Sequence, residues 1–204
     1  MKEPLLNLLL LCSLFFLTPF AYAQSFIEGE ITKDTTWTSE NGTLILTDDI
    51  IVSSGIELRI EKGVVIKPEK SVIGLDVYGT LKIMGTADEP VVFTSYSDDA
   101  FGGDTNEDGN ATSPKSGDWR GINFFYPGSE NVLKNAKVYY GSGSAGGVIY
   151  NESLSLQLDS CHFFQSDSNA VFSSRSVMVT NCELKNNKAS GNFLDGFNSE
   201  NYFL

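Results

Sequence analysis

Beyond the first two dozen residues, apolar side chains recur at every second position and almost nowhere at helical spacing. Leu44 and Leu46 alternate with polar neighbours, then Ile50 and Val52, then Ile56, Leu58 and Ile60. Val64 and Ile66, Leu75 and Val77, and Leu81 and Ile83 continue the pattern, which returns at Leu154, Leu156 and Leu158 and at Val177 and Val179. Turn-forming groups stand between these runs: Ser53-Ser54-Gly55, Lys62-Gly63, Tyr78-Gly79-Thr80 and Gly85-Thr86. The pattern predicts many strands of about three to five residues. No stretch carries the apolar stripe of a helix.

Short strands alone allow a sandwich, a barrel or a solenoid. A repeat decides between them. Leu156-Gln157-Leu158-Asp159-Ser160-Cys161-His162-Phe163 aligns with Val177-Met178-Val179-Thr180-Asn181-Cys182-Glu183-Leu184 at an offset of 21, apolar on apolar, Ser on Asn and Cys on Cys. A less regular copy, Leu133-Lys134-Asn135-Ala136-Lys137-Val138, precedes it by 25. A period in the low twenties fits one coil of a parallel β-helix, in which coils stack about 4.8 Å apart and equivalent residues form ladders. Three ladders are expected: Cys161 on Cys182 facing inward, Phe163 on Leu184 in the core, and Asn135, Ser160 and Asn181 at one corner. Cys161 and Cys182 read as free buried thiols, although the rung spacing permits a disulfide.

On these residues the chain resembles secreted bacterial right-handed parallel β-helix proteins of the pectin-lyase-like superfamily. The resemblance runs from about Ile31 to Asn187. It is carried by residues 31–37, by 58–67, by 77–81 with 85–95, and by Gly117-Asp118-Trp119-Arg120-Gly121-Ile122, which resembles a segment that opens a new coil. It implies an all-β, right-handed parallel β-helix with an acidic loop insertion near 96–118. It implies little about activity, because such folds serve as adhesins, cell-surface proteins and carbohydrate-active enzymes alike. Such proteins are usually longer. The C-terminus therefore reads either as the end of a fragment or as residues, ending in Asn201-Tyr202-Phe203-Leu204, that fold over the last coil as a cap.

The first 23 residues stand apart. Lys2 precedes an apolar run from Leu5 to Leu17, and Ala21-Tyr22-Ala23 offers small residues before Gln24. This is the pattern of a secretory signal, and the run is shorter than the roughly 20 residues of a membrane span. The expected organisation is a signal peptide at 1–23 and one β-helix domain at 24–204, with no membrane span after cleavage and a secreted or cell-surface location. Cys12 would leave with the signal. The net charge of −12 sets aside nucleic acid and anionic lipid as partners.

Candidate chemistry concentrates in the insertion. Asp104, Asn106 and Asp108 alternate and are followed by Gly109 and Asn110, like the first half of a calcium loop with oxygen ligands at positions 1, 3, 5 and 7. Position 12 is Lys115, so no complete EF-hand loop exists. Asp98, Asp99 or Asp118 are expected to complete the shell around a structural Ca²⁺. Catalysis finds less support. Arg59, Arg120 and Arg175 sit in no acid-rich sequence constellation, and Asp159 and Asp195 are isolated. His162 should point outward where Cys161 points in, which argues against a nucleophilic pair. Tyr139-Tyr140 and Phe124-Phe125-Tyr126 are candidate sugar-stacking aromatics, half of which the pleat must turn inward. The resulting expectation is a non-enzymatic extracellular scaffold whose insertion projects as an ion-stabilised loop, with a polysaccharide or surface protein as partner. The rival is a polysaccharide lyase or glycoside hydrolase acting on acidic glycans.

Overall fold

The computed structural model describes residues 23–125, 130–143 and 146–188. Residues 1–22, Tyr126, Asp195 and the C-terminal Asn201–Leu204 lie outside that set, so the readings of the signal run and of an end cap do too.

The chain is an all-β parallel solenoid, as expected for a right-handed parallel β-helix, with no α-helix among the described residues. Three faces arise from three strands per coil. The first stacks residues 50–52 on Gly74–Val77, Gly121–Phe124, Gly147–Asn151 and Asn169–Ser173. On the second, Thr35–Trp37, Glu57–Glu61, Thr80–Met84, Asn131–Lys134, Leu156–Asp159 and Val177–Thr180 lie in that order. The third stacks residues 44–46 on Val65–Pro68, Val91–Phe93, Ala136–Tyr139, His162–Phe164 and Glu183–Lys185.

Register makes the core. Ile50, Leu75, Ile122, Ile149 and Val171 form one inward row, and Ile66, Phe93, Val138, Phe163 and Leu184 another. All but Leu184 are essentially fully buried. Each such aliphatic or aromatic side chain contributes about 1.5–3 kcal/mol. The 25- and 21-residue offsets are both present as strand pairings, Leu133 on Leu158 and Leu158 on Val179.

Corners follow backbone strain. Asn135, Ser160 and Asn181 occupy equivalent turns at φ of 47°, 55° and 53°. What the ladder shares is therefore the left-handed backbone, which Asn and Ser tolerate better than bulky residues. Only Asn135 spends its amide on a neighbouring coil's backbone, at Gly85 O, 3.1 Å away. Ser160 and Asn181 reach Asp159 instead. A second left-handed ladder runs through Tyr140, Gln165 and Asn186, at 61°, 55° and 57°.

Two strands break the short-strand expectation. Thr43–Val52 is ten residues long and rounds a corner, so that residues 44–46 serve the third face and residues 50–52 the first. Gln24–Ile31, eight residues long, pairs along it in parallel.

Two substitutions test this account. Phe163→Ala should cost about 3–5 kcal/mol in urea unfolding, because it opens a cavity in a stacked core row. Tyr140→Asn should raise the unfolding midpoint by relieving a bulky residue from positive φ.

Candidate functional site

The insertion begins after Phe93 and ends at Gly121, in the corner between the third and first faces. It lies flat on the third face and does not project, in contrast to the expectation. Ile45 and Lys67 alternate with the inward Leu44 and Ile66 and so point away from the core, yet both are 0% exposed. Lys67 is the seat of the insertion: its Nζ donates to Gly103 O at 2.8 Å and to Thr105 Oγ1 at 3.0 Å. Tyr96 Oη donates to Thr105 O at 3.0 Å. Phe101 stacks on Tyr139 with centroids 5.4 Å apart. Gly102 passes so close to Thr43 that a Cβ there would stand 2.3 Å from Thr43 Oγ1, so only glycine lets the loop lie this flat.

Burial lowers the Lys67 pKa to about 8 from 10.5, against the opposing pull of Asp98, Asp99 and Asp104. Between those values the unfolded chain holds a proton that the folded chain has released. Stability should therefore rise as pH climbs from 8 towards 10.5, and the burial penalty should be complete below pH 8.

Within the insertion, Asp99, Asp104 and Asp108 bring carboxylate oxygens within 4.8 Å of one another. Asp108 is a turn acceptor: Oδ1 takes the N–H groups of Asn110 and Ala111, and Oδ2 takes Thr112 N, Thr112 Oγ1 and Asn106 Nδ2. The Thr112 bond leads the causes that lower its pKa. Asp104 accepts from Asp108 N at 3.1 Å and Gly109 N at 2.9 Å. Asn110 is exposed, with φ of 81°. Of the three acids suggested to complete a shell, Asp98 is tied to Thr94 Oγ1 and Ala100 N, and Asp118 to Ser95 Oγ and Lys115 N. Asp99 is the one left with a buried, unpartnered oxygen, as is Asn106 Oδ1. Desolvation and then the Asp104 charge hold the Asp99 pKa above its ordinary value.

A second cluster escaped the sequence reading. Arg120 makes a two-pronged pair with Asp76, both bonds 3.0 Å, and its Nη2 also lies 2.8 Å from Asp49 Oδ1. Its Nε donates to Val72 O at 3.0 Å, and Asn123 Nδ2 donates to Asp76 Oδ1 at 2.8 Å. Three coils of the first face thus meet at one guanidinium. Burial works against its charge, but the bonds to Asp76 and Asp49 outweigh burial and hold its pKa above the ordinary arginine value. A Cβ at Gly74 would stand 2.6 Å from Gly121 O and 3.2 Å from Arg120 Cβ, so the clamp needs glycine beneath it.

The aromatics divide as the pleat requires. Phe124 is buried, while Phe125 is half-buried and stacks on Tyr78 at 4.9 Å. Tyr150 and Phe172 continue that outer row, 5.7 Å apart and nearly coplanar in orientation. The middle pair, Phe125 and Tyr150, is tilted with centroids 6.3 Å apart, and Tyr78 and Phe172 at the two ends are exposed. Tyr139 and Tyr140 are both half-buried and 5.9 Å apart. His162 points outward and pairs with Glu183 at 3.1 Å, away from Cys161. No helix among the described residues is long and apolar enough to cross a membrane.

Arg120→Met should destabilise the protein by about 3 kcal/mol, because Asp76 would be left charged and largely buried. Arg59→Ala, which breaks the more exposed pair with Glu61, should cost under about 1 kcal/mol. Lys67→Met should flatten the stability gain between pH 8 and 10 measured by urea unfolding. The tyrosines whose pKa is raised titrate above that window.

Residues 29–153 match the family model described as a pectate-lyase-like beta helix domain. Neither a curated protein nor a solved structure matches the chain significantly. The match spans most of the coils and both clusters, and the chain belongs to the pectate-lyase-like beta helix family.

Proposed function

We propose that this protein is an exported, non-enzymatic β-helix scaffold that works at the cell surface or in the extracellular space and presents its faces to a polysaccharide or a surface protein. The observation that carries the reading is the state of Arg120. In the acid–base cluster of the first face, the guanidinium is held charged and bonded to both carboxylates. A base must be free to take a proton, and this one is not. The cluster ties coils together and leaves the face stiff, which suits display. The rival reading, a lyase or hydrolase of acidic glycans, is favoured by the same residues on one point only: two acids and an arginine converge on one face.

A screen of neutral and acidic glycans combined with a reducing-end assay separates the readings. The scaffold should bind without generating reducing ends. Turnover that is lost in Asp76→Asn would establish the enzyme in its place.

Calcium belongs to the same proposal. The donor set fits a hard cation, with Asp99 Oδ1 and Asn106 Oδ1 buried and unsatisfied beside the Asp104 and Asp108 carboxylates. A bound Ca²⁺ would neutralise the repulsion that raises the Asp99 pKa and fasten the insertion from above as Lys67 does from below. The melting midpoint should rise with Ca²⁺ and fall with chelator, and Asp104→Asn with Asp108→Asn should abolish the difference. An unchanged midpoint in the unmutated protein would remove calcium from the account. Export is tested by N-terminal sequencing of protein recovered outside the cell, which should begin at Gln24.

A further inference from the structure

Cys161 and Cys182 stand at the same corner of successive coils. The register that sets Asp159 on Thr180 and His162 on Glu183 sets one cysteine on the other. Both are free, with Cys161 0% and Cys182 8% exposed. The Cys161 N–H donates to Cys182 Sγ at 3.4 Å, which brings the second sulfur against the first residue's backbone. Neighbours on parallel strands lie about 4.8 Å apart, inside the roughly 4.4–6.8 Å between Cα atoms that a disulfide accepts.

The coil that carries Cys182 is also less well buried than the coil before it. Val177, Val179 and Leu184 remain half-exposed, whereas Leu156, Leu158 and Phe163 one coil earlier are each 1% exposed. A cross-link here would fasten a coil that has little burial to hold it.

We propose that Cys161 and Cys182 form a thiol–disulfide clip, open in the reduced protein and closed by low-molecular-weight disulfides, that fastens the coil of residues 177–185 to the coil before it. Cys182 is the attacking sulfur. It accepts the Cys161 N–H at 3.4 Å and is the more exposed of the two, and the neighbouring Cys161 group lowers its pKa while raising that of Cys161. Local opening of the outer coil admits the oxidant. The Cys182 thiolate attacks oxidised glutathione, forming a mixed disulfide and releasing one glutathione thiolate. That thiolate takes the proton from Cys161. The Cys161 sulfur then displaces the second glutathione from Cys182. Two protein thiols are oxidised, and one glutathione disulfide is reduced to two thiols. Closure costs the single Cys161 thiol hydrogen its acceptor, Leu133 O at 3.2 Å or Asp159 O at 3.5 Å, and the Cys182 thiol its bond to Thr180 O at 3.3 Å.

The test uses the full chain carrying Cys12→Ser, reduced and then held folded in mixtures of oxidised and reduced glutathione. Mass spectrometry reads the thiols, and amide hydrogen exchange reads the coils. The clip predicts loss of two hydrogens within one chain, linking the Cys161 and Cys182 peptides, and full reversal by dithiothreitol. Exchange over 177–185 should slow at least about tenfold while exchange over 57–84 stays unchanged. Cys161→Ser should leave a lasting glutathione adduct on Cys182, and Cys182→Ser should leave Cys161 unmodified. A lasting adduct on the parent chain, a link between two chains, or unmodified thiols in a chain whose 57–84 amides remain protected would each overturn the proposal.

Discussion

Everything in this molecule depends on coils lying in register, each strand bonded to its counterpart one turn before and one turn after. Parallel pairing imposes two conditions at once. The rise between coils is set by backbone hydrogen bonds, and the facing of each side chain by the pleat. A slip of one residue would turn the row Ile66, Phe93, Val138, Phe163 and Leu184 outward and expose the core. Surplus chain can therefore enter only at corners. The stretch between Phe93 and Gly121 does so, and the strands on either side keep their pairing across it.

Stacking also performs the assembly that a longer-range fold would need for its polar groups. Asp49, Asp76 and Arg120 are remote in sequence and share one guanidinium because they occupy successive coils of one face. Lys67 and the insertion meet for a related reason: the residue next to an inward isoleucine must point out, and the loop that leaves the following coil crosses above it. In both places burial strengthens the electrostatics and leaves the groups little freedom.

The solenoid was legible because its signal is local and repeated. Leu156–Phe163 against Val177–Leu184 carried the period, and the alternation along Leu58–Ile60 and Leu81–Ile83 carried the facing. The long strand Thr43–Val52 was not legible, since the alternation of Leu44 and Leu46 lapses across Thr47, Asp48 and Asp49 although the backbone continues through them. Arg120 was seen as a coil opener but not as a clamp, because its partners lie 44 and 71 positions away and nothing in the local pattern joins them. The acidic run of the insertion was visible. That Asp108 would spend its oxygens on its own turn, and that Asp99 would be the acid left unsatisfied, depended on how the loop folds back, which spacing does not encode.

The ten-residue strand that rounds the corner has a mechanical consequence. Elsewhere the first and third faces meet through turns, but Thr43–Val52 is hydrogen-bonded on both and so joins them into one continuous sheet. Tension applied along the solenoid axis at this level cannot peel one face at a time. It must break both ladders together, so the coil at residues 43–52 should be the stiffest link in the rod, and yielding should begin nearer its other end.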